Sequence, residues 1–132
     1  MPPALFSAFL VAHALIHLSF VRSRPKAAAG GPAWPFDLDR SWILTPLRVP
    51  PSRSRTLGVI LLVLILAGAS LGAVTALGIG PASLFVPAIV LGSVASAGML
   101  LLFFHPWLTL GIVIDVALLW VLLVAGWRPE GM

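Results

Sequence analysis

The sequence lacks cysteine entirely over its 132 residues. Disulfide bonds, thiolate nucleophiles and cysteine-ligated metals are therefore excluded. It also lacks a glycine-rich phosphate loop and a His-Glu-x-x-His motif. A Ser-His-Asp triad from Ser7, His13 and Asp115 is not favoured, because residues six apart on a helix lie on different faces. The sequence thus indicates no catalytic centre.

The sequence also contains few charged residues. Charged residues make up only 9% of the chain and hydrophobic residues make up 60%, whereas a typical soluble domain has about 25% charged residues. So few charges cannot cover a water-facing surface, and most of the exterior is expected to contact a lipid bilayer. The basic residues flank apolar runs and form no stripe, which argues against a nucleic-acid partner.

Four apolar runs are long enough to cross a bilayer, and glycine, proline or charged residues separate them. The first run is preceded by no Lys or Arg and followed by no Ala-x-Ala site, which favours a retained helix over a signal peptide. We predict one all-α integral membrane domain over residues 1–132, an antiparallel bundle of four transmembrane helices. The predicted parts are helices at 3–21, 56–77, 84–104 and 108–127, with a long basic loop at 22–55.

The basic residues predict the orientation. Loop 22–55 contains seven of the eight Lys and Arg residues, namely Arg22, Arg24, Lys26, Arg40, Arg48, Arg53 and Arg55. The positive-inside rule places this loop in the cytoplasm, and four spans then place both termini outside. Within it, the segment from Trp34 to Leu44 mixes aromatic and charged residues. It is either an interfacial segment, with a short helix capped by Asp37 or Asp39, or a plain loop.

Small residues recur in the second and third spans. Gly68 and Gly72 form a Gly-x-x-x-Gly pair, and Gly92 and Ser96 have the same spacing in the next span. Small residues four apart let a neighbouring helix backbone come close. We therefore predict a closely packed hairpin with Gly68 and Gly92 at similar depth, and an approach of the first helix at Gly111.

Three polar side chains are predicted to meet inside the membrane. Counting 1.5 Å per residue from the cytoplasmic face, His17 lies about 6 Å deep, His13 about 12 Å and Asp115 about 10 Å. A carboxylate in hydrocarbon is costly, so Asp115 needs a partner or a proton. The two histidines share a helix face and can supply that partner. His105 is a possible peripheral member of this intramembrane polar cluster.

Three interpretations of the cluster remain open. It is a structural interhelical hydrogen bond, a proton or ion relay, or a metal or haem site. In the third case His13, His17 and Asp115 are the ligands for Zn, Cu(II) or Fe. His105 would be a strained fourth ligand, about 10 Å shallower than Asp115. The sequence itself requires no cofactor.

Three helix entries carry a resemblance, namely His13-Ala-Leu-Ile-His-Leu18, Ser54-Arg-Thr-Leu-Gly58 and Gly111-Ile-Val-Ile-Asp115. They resemble those of a group of small bacterial four-helix membrane proteins, broadly similar to the DoxX-like architecture. The longer basic first loop departs from that pattern. The resemblance implies a four-helix fold in a bacterial cytoplasmic membrane. DoxX-like proteins are associated with quinone-linked membrane oxidoreductases, which implies an accessory role.

The expected function follows from small size, the lack of a soluble domain and close-packing small residues. We expect a structural or accessory subunit of a larger membrane complex, with other membrane subunits or further copies of the chain as partners. The alternative is a carrier of protons, metal ions or small molecules that uses His and Asp, or a haem- or metal-binding membrane protein.

Overall fold

The computed structural model describes residues 1–22 and 35–129. Within these ranges the chain is helical and contains no strand. Helix α1 spans Pro3–Ile16 and continues into a 3-10 turn at His17–Phe20, α2 spans Pro51–Ala76, α3 spans Phe85–Leu102 and α4 spans Thr109–Leu123. Short 3-10 turns at Ala82–Leu84 and Pro106–Leu108 precede α3 and α4. Four helical segments of the described residues, counted with these turns, are long and apolar enough to span a membrane, which confirms the predicted all-helical membrane class.

Helix α2 extends beyond the apolar run at its beginning. It begins at Pro51, five residues before the predicted start, and so includes the charged residues Arg53 and Arg55. Proline suits a first helical position, because its φ is already helical and its missing N–H would have no partner there. The helix ends at Ala76, and Gly78 follows with a φ of 77°. This left-handed conformation is one that glycine adopts without a steric cost.

Helices α2 and α3 form the most extensive helix–helix contact among the described residues. A Cβ atom added to Gly68 would lie 2.6 Å from the carbonyl oxygen of Ala88 and 2.7 Å from the backbone nitrogen of Gly92. A Cβ atom at Gly72 would lie 2.6 Å from Cγ1 of Ile89. Backbone therefore meets backbone at Gly68 and Gly92, which is the contact that small residues permit in a membrane.

Helix α4 contacts α3 on one side and faces α1 across a wider seam. Helix α1 contacts α2, and α3 contacts α4. The backbones of α1 and α4 come close to each other at few or no positions. A Cβ atom at Gly111 would lie 2.7 Å from Cδ1 of Leu100 on α3. Gly111 thus accommodates α3, whereas the sequence predicted that it would admit α1. Longer side chains bridge α1 and α4 instead.

Two buried apolar clusters fill the bundle, one toward each end. The cluster near the termini includes Phe6, Leu10, Phe85, Ile89, Leu118 and Leu122. The cluster toward the first loop includes Phe20, Leu38, Leu62, Ile65, Met99 and Phe103. The polar residues of the candidate site lie on α1, α3 and α4 between these clusters. They are therefore held in place by packed side chains above and below.

The described part of the first loop closes one end of the bundle. Leu38 is buried against Gly58, where an added Cβ would lie 2.5 Å from Cδ2 of Leu38. The Ser41 hydroxyl donates to the carbonyl oxygen of Leu102 at 2.5 Å, and the indole nitrogen of Trp42 donates to that of Leu101 at 2.6 Å. These bonds occupy carbonyl groups at the end of α3, which no longer have a partner within the helix.

The short helix that the sequence allowed in this loop does not form. Residues 42–48 make consecutive turns, and Ser41 accepts hydrogen bonds from the backbone at their start, where the sequence suggested Asp37 or Asp39. Pro46 has no N–H for a helical bond and disfavours helical geometry at Thr45. Residues 23–34, including Trp34 of the predicted interfacial segment, lie outside the described residues.

Candidate functional site

The centre of the site is a pair between α1 and α4. Nε2 of His13 lies 3.1 Å from Oδ1 of Asp115. The Asp115 side chain is fully buried, and that of His13 is 10% exposed. Because a carboxyl group in lipid must be protonated or paired, this contact gives Asp115 one of the partners that it needs.

Ser96 of α3 is the second partner of the carboxyl group. Its hydroxyl donates to Oδ2 of Asp115 at 2.5 Å and also lies 2.9 Å from Nε2 of His17. Ser96 is 1% exposed and His17 is 3% exposed. A single hydroxyl group therefore joins the acid on α4 to the second imidazole at the end of α1.

A change in helix type orients His17. The backbone N–H of His17 bonds to Ala14, three residues back, because the 3-10 turn begins at this point. The carbonyl oxygen of His13, which is the usual α-helical partner of that N–H, instead lies 3.2 Å from ring atom Nδ1 of His17. A carbonyl oxygen can only accept, so Nδ1 of His17 carries a proton. Nε2 is then the atom directed at Ser96.

The sequence identified three members of this polar cluster and assigned Ser96 a different role, that of a small packing residue. Counting residues from the end of the span could have identified Ser96 as a member of the cluster. Ser96 lies eight residues before Phe104, about 12 Å from the same end of its span at 1.5 Å per residue, which is close to the depths of His13 and Asp115. What the count cannot supply is the rotation of α3, which directs this hydroxyl at the acid.

Two other candidate residues lie apart from the cluster. His105 caps the 3-10 turn before α4, where its Nδ1 accepts from the backbone N–H of Trp107 at 3.3 Å. Ser7 donates to the carbonyl oxygen of Ala73 at 2.9 Å and has no part in a triad. Among residues 1–22 and 35–129, no group of three or more His, Asp or Glu side chains is arranged to hold a metal ion.

Asp39 forms an ion pair that joins the loop to α2. Arg55 at the start of α2 binds it through two nitrogens, at 3.1 and 2.7 Å. The Arg55 side chain is largely exposed. This pair therefore fixes the loop to α2 and contributes little to stability, as exposed ion pairs generally do.

Clefts lie on the seam between α1 and α4 on both sides of the His13–Asp115 pair. One, of about 150 Å³, lies toward the first loop and is lined by residues that include both His13 and His17. The other, of about 250 Å³, lies toward the termini and is lined by residues that include Phe6, Phe9 and Trp127. A further cavity of about 20 Å³ borders His13, Ser96 and Asp115, which is space for a single water molecule.

Together, the fold and the site define a class of protein: over residues 1–22 and 35–129, an all-helical fold with four apolar candidate membrane helices and a buried acid, hydroxyl and imidazole cluster between them. Comparison with protein-family models, curated proteins and solved structures finds no match to this chain.

Proposed function

We propose that this protein is a small proton carrier of the membrane, in which Asp115, Ser96 and His17 hold one exchangeable proton. The observation that carries the proposal is the position of the Ser96 hydroxyl, within hydrogen-bond distance of both Oδ2 of Asp115 and Nε2 of His17. Serine has one proton to donate and can accept at the same time, so it can pass a proton between its neighbours.

Two arrangements of protons satisfy both hydrogen bonds of the row that runs from Asp115 through Ser96 to His17. In the first, His17 is an imidazolium that donates from Nε2 to Ser96, and Ser96 donates to an ionised Asp115. In the second, Asp115 is protonated on Oδ2 and donates to Ser96, and Ser96 donates to the neutral Nε2 of His17. The two contain the same number of protons. Removing one proton from either leaves a hydrogen bond without a donor.

A paired shift of two protons interconverts these arrangements. The Oδ2–H bond of Asp115 breaks as its proton joins Oγ of Ser96, and the original Ser96 proton joins Nε2 of His17. Ser96 remains a neutral hydroxyl, Asp115 becomes a carboxylate and His17 becomes an imidazolium. Low-dielectric surroundings favour the neutral arrangement, since separated charges are costly there. Imidazole changes charge near physiological pH, which suits it to proton exchange.

The surroundings of the cluster support access from both ends of the seam. His13 and His17 line the cleft toward the first loop, whose outer part is formed by the largely exposed Trp107 and Leu110. On the other side of the His13–Asp115 pair, Phe9 stacks on His13 with ring centroids 6.2 Å apart. A carrier with alternating access needs this arrangement, in which a central proton site separates two approaches.

The proposed topology completes this picture. We propose that the four spans run antiparallel, with loop 22–55 in the cytoplasm and both termini outside. Contacts such as that of Phe6 with Phe85 and with Trp127, at 5.9 and 4.9 Å between ring centroids, support the antiparallel order. The concentration of Lys and Arg in the first loop supports the orientation. The cleft lined by both histidines would then face the cytoplasmic side.

Proton flux into vesicles tests the proposal. The purified protein is reconstituted into liposomes that contain a pH-sensitive dye, and a potassium diffusion potential drives protons inward. We expect the wild type to acidify the lumen faster than empty vesicles do. Asp115→Asn and Ser96→Ala should reduce the rate to that of empty vesicles, because each removes a proton-bearing group of the cluster.

Ser93→Ala is the matched control, because Ser93 is a buried serine of α3 one helical turn away that borders the same small cavity. It should keep the wild-type rate. The proposal is contradicted if the wild type conducts no faster than empty vesicles, or if Asp115→Asn and Ser96→Ala conduct as the wild type does.

An accessory subunit is the second candidate, and one observation favours it. Only 17% of the α4 span is buried, compared with 39 to 50% for the other three spans. Residues such as Val113, Val116 and Trp120 are mostly exposed and form a broad outward face. Under this proposal a larger membrane protein covers that face, and purification from native membranes in mild detergent should yield both chains. Recovery of this chain alone, in a single defined state, would count against it.

A further inference from the structure

The cleft between α1 and α4 toward the first loop combines an apolar wall with a polar interior edge. Its volume is about 150 Å³. The apolar lining includes Ile16, Phe36, Leu100, Leu108 and Ile114, and the polar lining consists of His13 and His17 with the indole of Trp107 near the outside. No Lys, Arg, Asp or Glu lines it. A charged ligand would therefore find no counterion there, whereas an uncharged ring would be well accommodated.

His13 has a ring nitrogen without a hydrogen bond. Its Nε2 is bound to Oδ1 of Asp115, and no hydrogen bond joins its Nδ1 to a described residue. The side chain is 90% buried and belongs to the wall of the cleft. Since Nε2 donates to the carboxyl oxygen, the neutral imidazole presents a lone pair on Nδ1. An acceptor buried in this way and without a donor is unfavourable, particularly in a membrane.

Both nitrogens of His17 are already occupied, by the carbonyl oxygen of His13 and by the Ser96 hydroxyl. Apart from the indole N–H of Trp107 near its outside, the remaining polar group for a ligand in the cleft is Nδ1 of His13, an acceptor. The ligand must bring the donor itself.

We propose that this cleft is a binding site for a small lipid-soluble alcohol or phenol, whose hydroxyl group donates to Nδ1 of His13 while its apolar part lies against Ile16, Leu108 and Ile114. The seam between α1 and α4 is open enough for entry from the bilayer, because side chains and not backbones bridge the two helices. Selectivity follows from the donor: an ether or ketone of the same shape can only accept. The site goes beyond proton transport and does not depend on it, because Asp115 accepts from Nε2 of His13 whether or not it exchanges a proton.

Fluorine NMR of two matched probes tests this site. The probes are 4-fluorophenol, which has a hydroxyl donor, and 4-fluoroanisole, in which a methyl group replaces that proton. They are titrated into the protein in nanodiscs, with empty nanodiscs as the reference for partitioning into lipid. We expect the wild type to bind the phenol at least tenfold more tightly than the anisole.

Two variants separate the site from general lipid partitioning. His13→Gln keeps an N–H donor close to the position of Nε2 for Asp115 but removes the acceptor at Nδ1, and it should abolish the preference for the phenol. Ile114→Trp fills the cleft without touching the imidazole acceptor and should abolish binding of both probes. Ser93→Ala should bind as the wild type does.

Equal binding of the two probes by the wild type would overturn the proposal, and so would a preference that persists in both His13→Gln and Ile114→Trp. Failure of this experiment leaves proton flux through Asp115 unaffected, and the absence of flux would leave the probe selectivity unaffected. The two proposals can therefore fail separately.

Discussion

Substitution of Gly68 by leucine is expected to lower the free energy of unfolding by about 3 kcal/mol or more, at the upper end of the cost of overpacking. A Cβ atom at this position would lie 2.6 to 2.8 Å from backbone atoms of Ala88 and Gly92. Backbone atoms cannot rotate away as the end of a side chain can, so α2 and α3 must separate. Denaturation in mixed detergent micelles, followed by circular dichroism, measures the change.

Gly98→Leu provides the control for this experiment. Gly98 lies within α3, the other helix of this pair, but an added Cβ there would meet nothing within 4 Å. The substitution is the same, and leucine is a better helix former than glycine. Gly98→Leu should therefore unfold at the wild-type detergent fraction or above it. Equal destabilisation by Gly68→Leu and Gly98→Leu would show that the α2–α3 backbone contact does not limit stability.

Substitution of Asp115 by leucine is expected to give the second large decrease in the free energy of unfolding, because it removes the hydrogen-bond partner of buried polar groups. Ser96 can still donate to Nε2 of His17, which lies 2.9 Å away. The N–H of His13 has no such alternative, and an unsatisfied buried donor costs about 1 to 3 kcal/mol. We expect a loss of this size in the same detergent unfolding measurement.

A double-mutant cycle with His13→Leu separates this cost from the loss of packing. The variant with both His13→Leu and Asp115→Leu has neither partner of the pair and should be more stable than the sum of the single effects predicts. The expected coupling is about 0.6 to 1.7 kcal/mol, the range for interhelical hydrogen bonds in membranes. Strict additivity would mean that the pair contributes nothing to stability and that its polarity serves another purpose.

These experiments also distinguish the two main interpretations of the cluster. If the cluster is only a structural hydrogen bond, the double variant with His13→Leu and Asp115→Leu should still fold, and the wild type should show no more proton flux than empty vesicles. If the protein is a proton carrier, the same double variant should lose proton flux even where its free energy of unfolding is recovered. The unfolding and flux measurements therefore have to be made on the same variants.

The membrane class could be predicted because it depends on the composition of the chain and on the order of apolar and charged residues along it. Scarcity of charge and four long apolar runs exclude a soluble fold whatever the packing is, since the energetic cost of exposing so much apolar surface does not depend on tertiary detail. The start of α2 was less predictable. Hydropathy excludes Arg53 and Arg55 from a span, whereas helix geometry continues through them to Pro51.

Helix rotation is what a sequence leaves open. The predicted depths of His13, His17 and Asp115 come from counting residues, because each helical residue advances by about 1.5 Å. Which neighbour each side chain faces depends on how whole helices pack. Gly111 was predicted to face α1 and instead accommodates Leu100, and Ser96 was predicted to pack against a backbone and instead contacts Asp115 and His17.

By itself, the sequence determined the helical class and the four apolar spans that the described residues have, and it predicted a comparable depth for three ionisable side chains. Only the tertiary structure decided that Ser96 joins Asp115 to His17, and that a cleft beside His13 separates α1 from α4. The physical reason is that composition and rise per residue are properties of each helix alone. Rotation and spacing of helices arise from the packing of all four against one another.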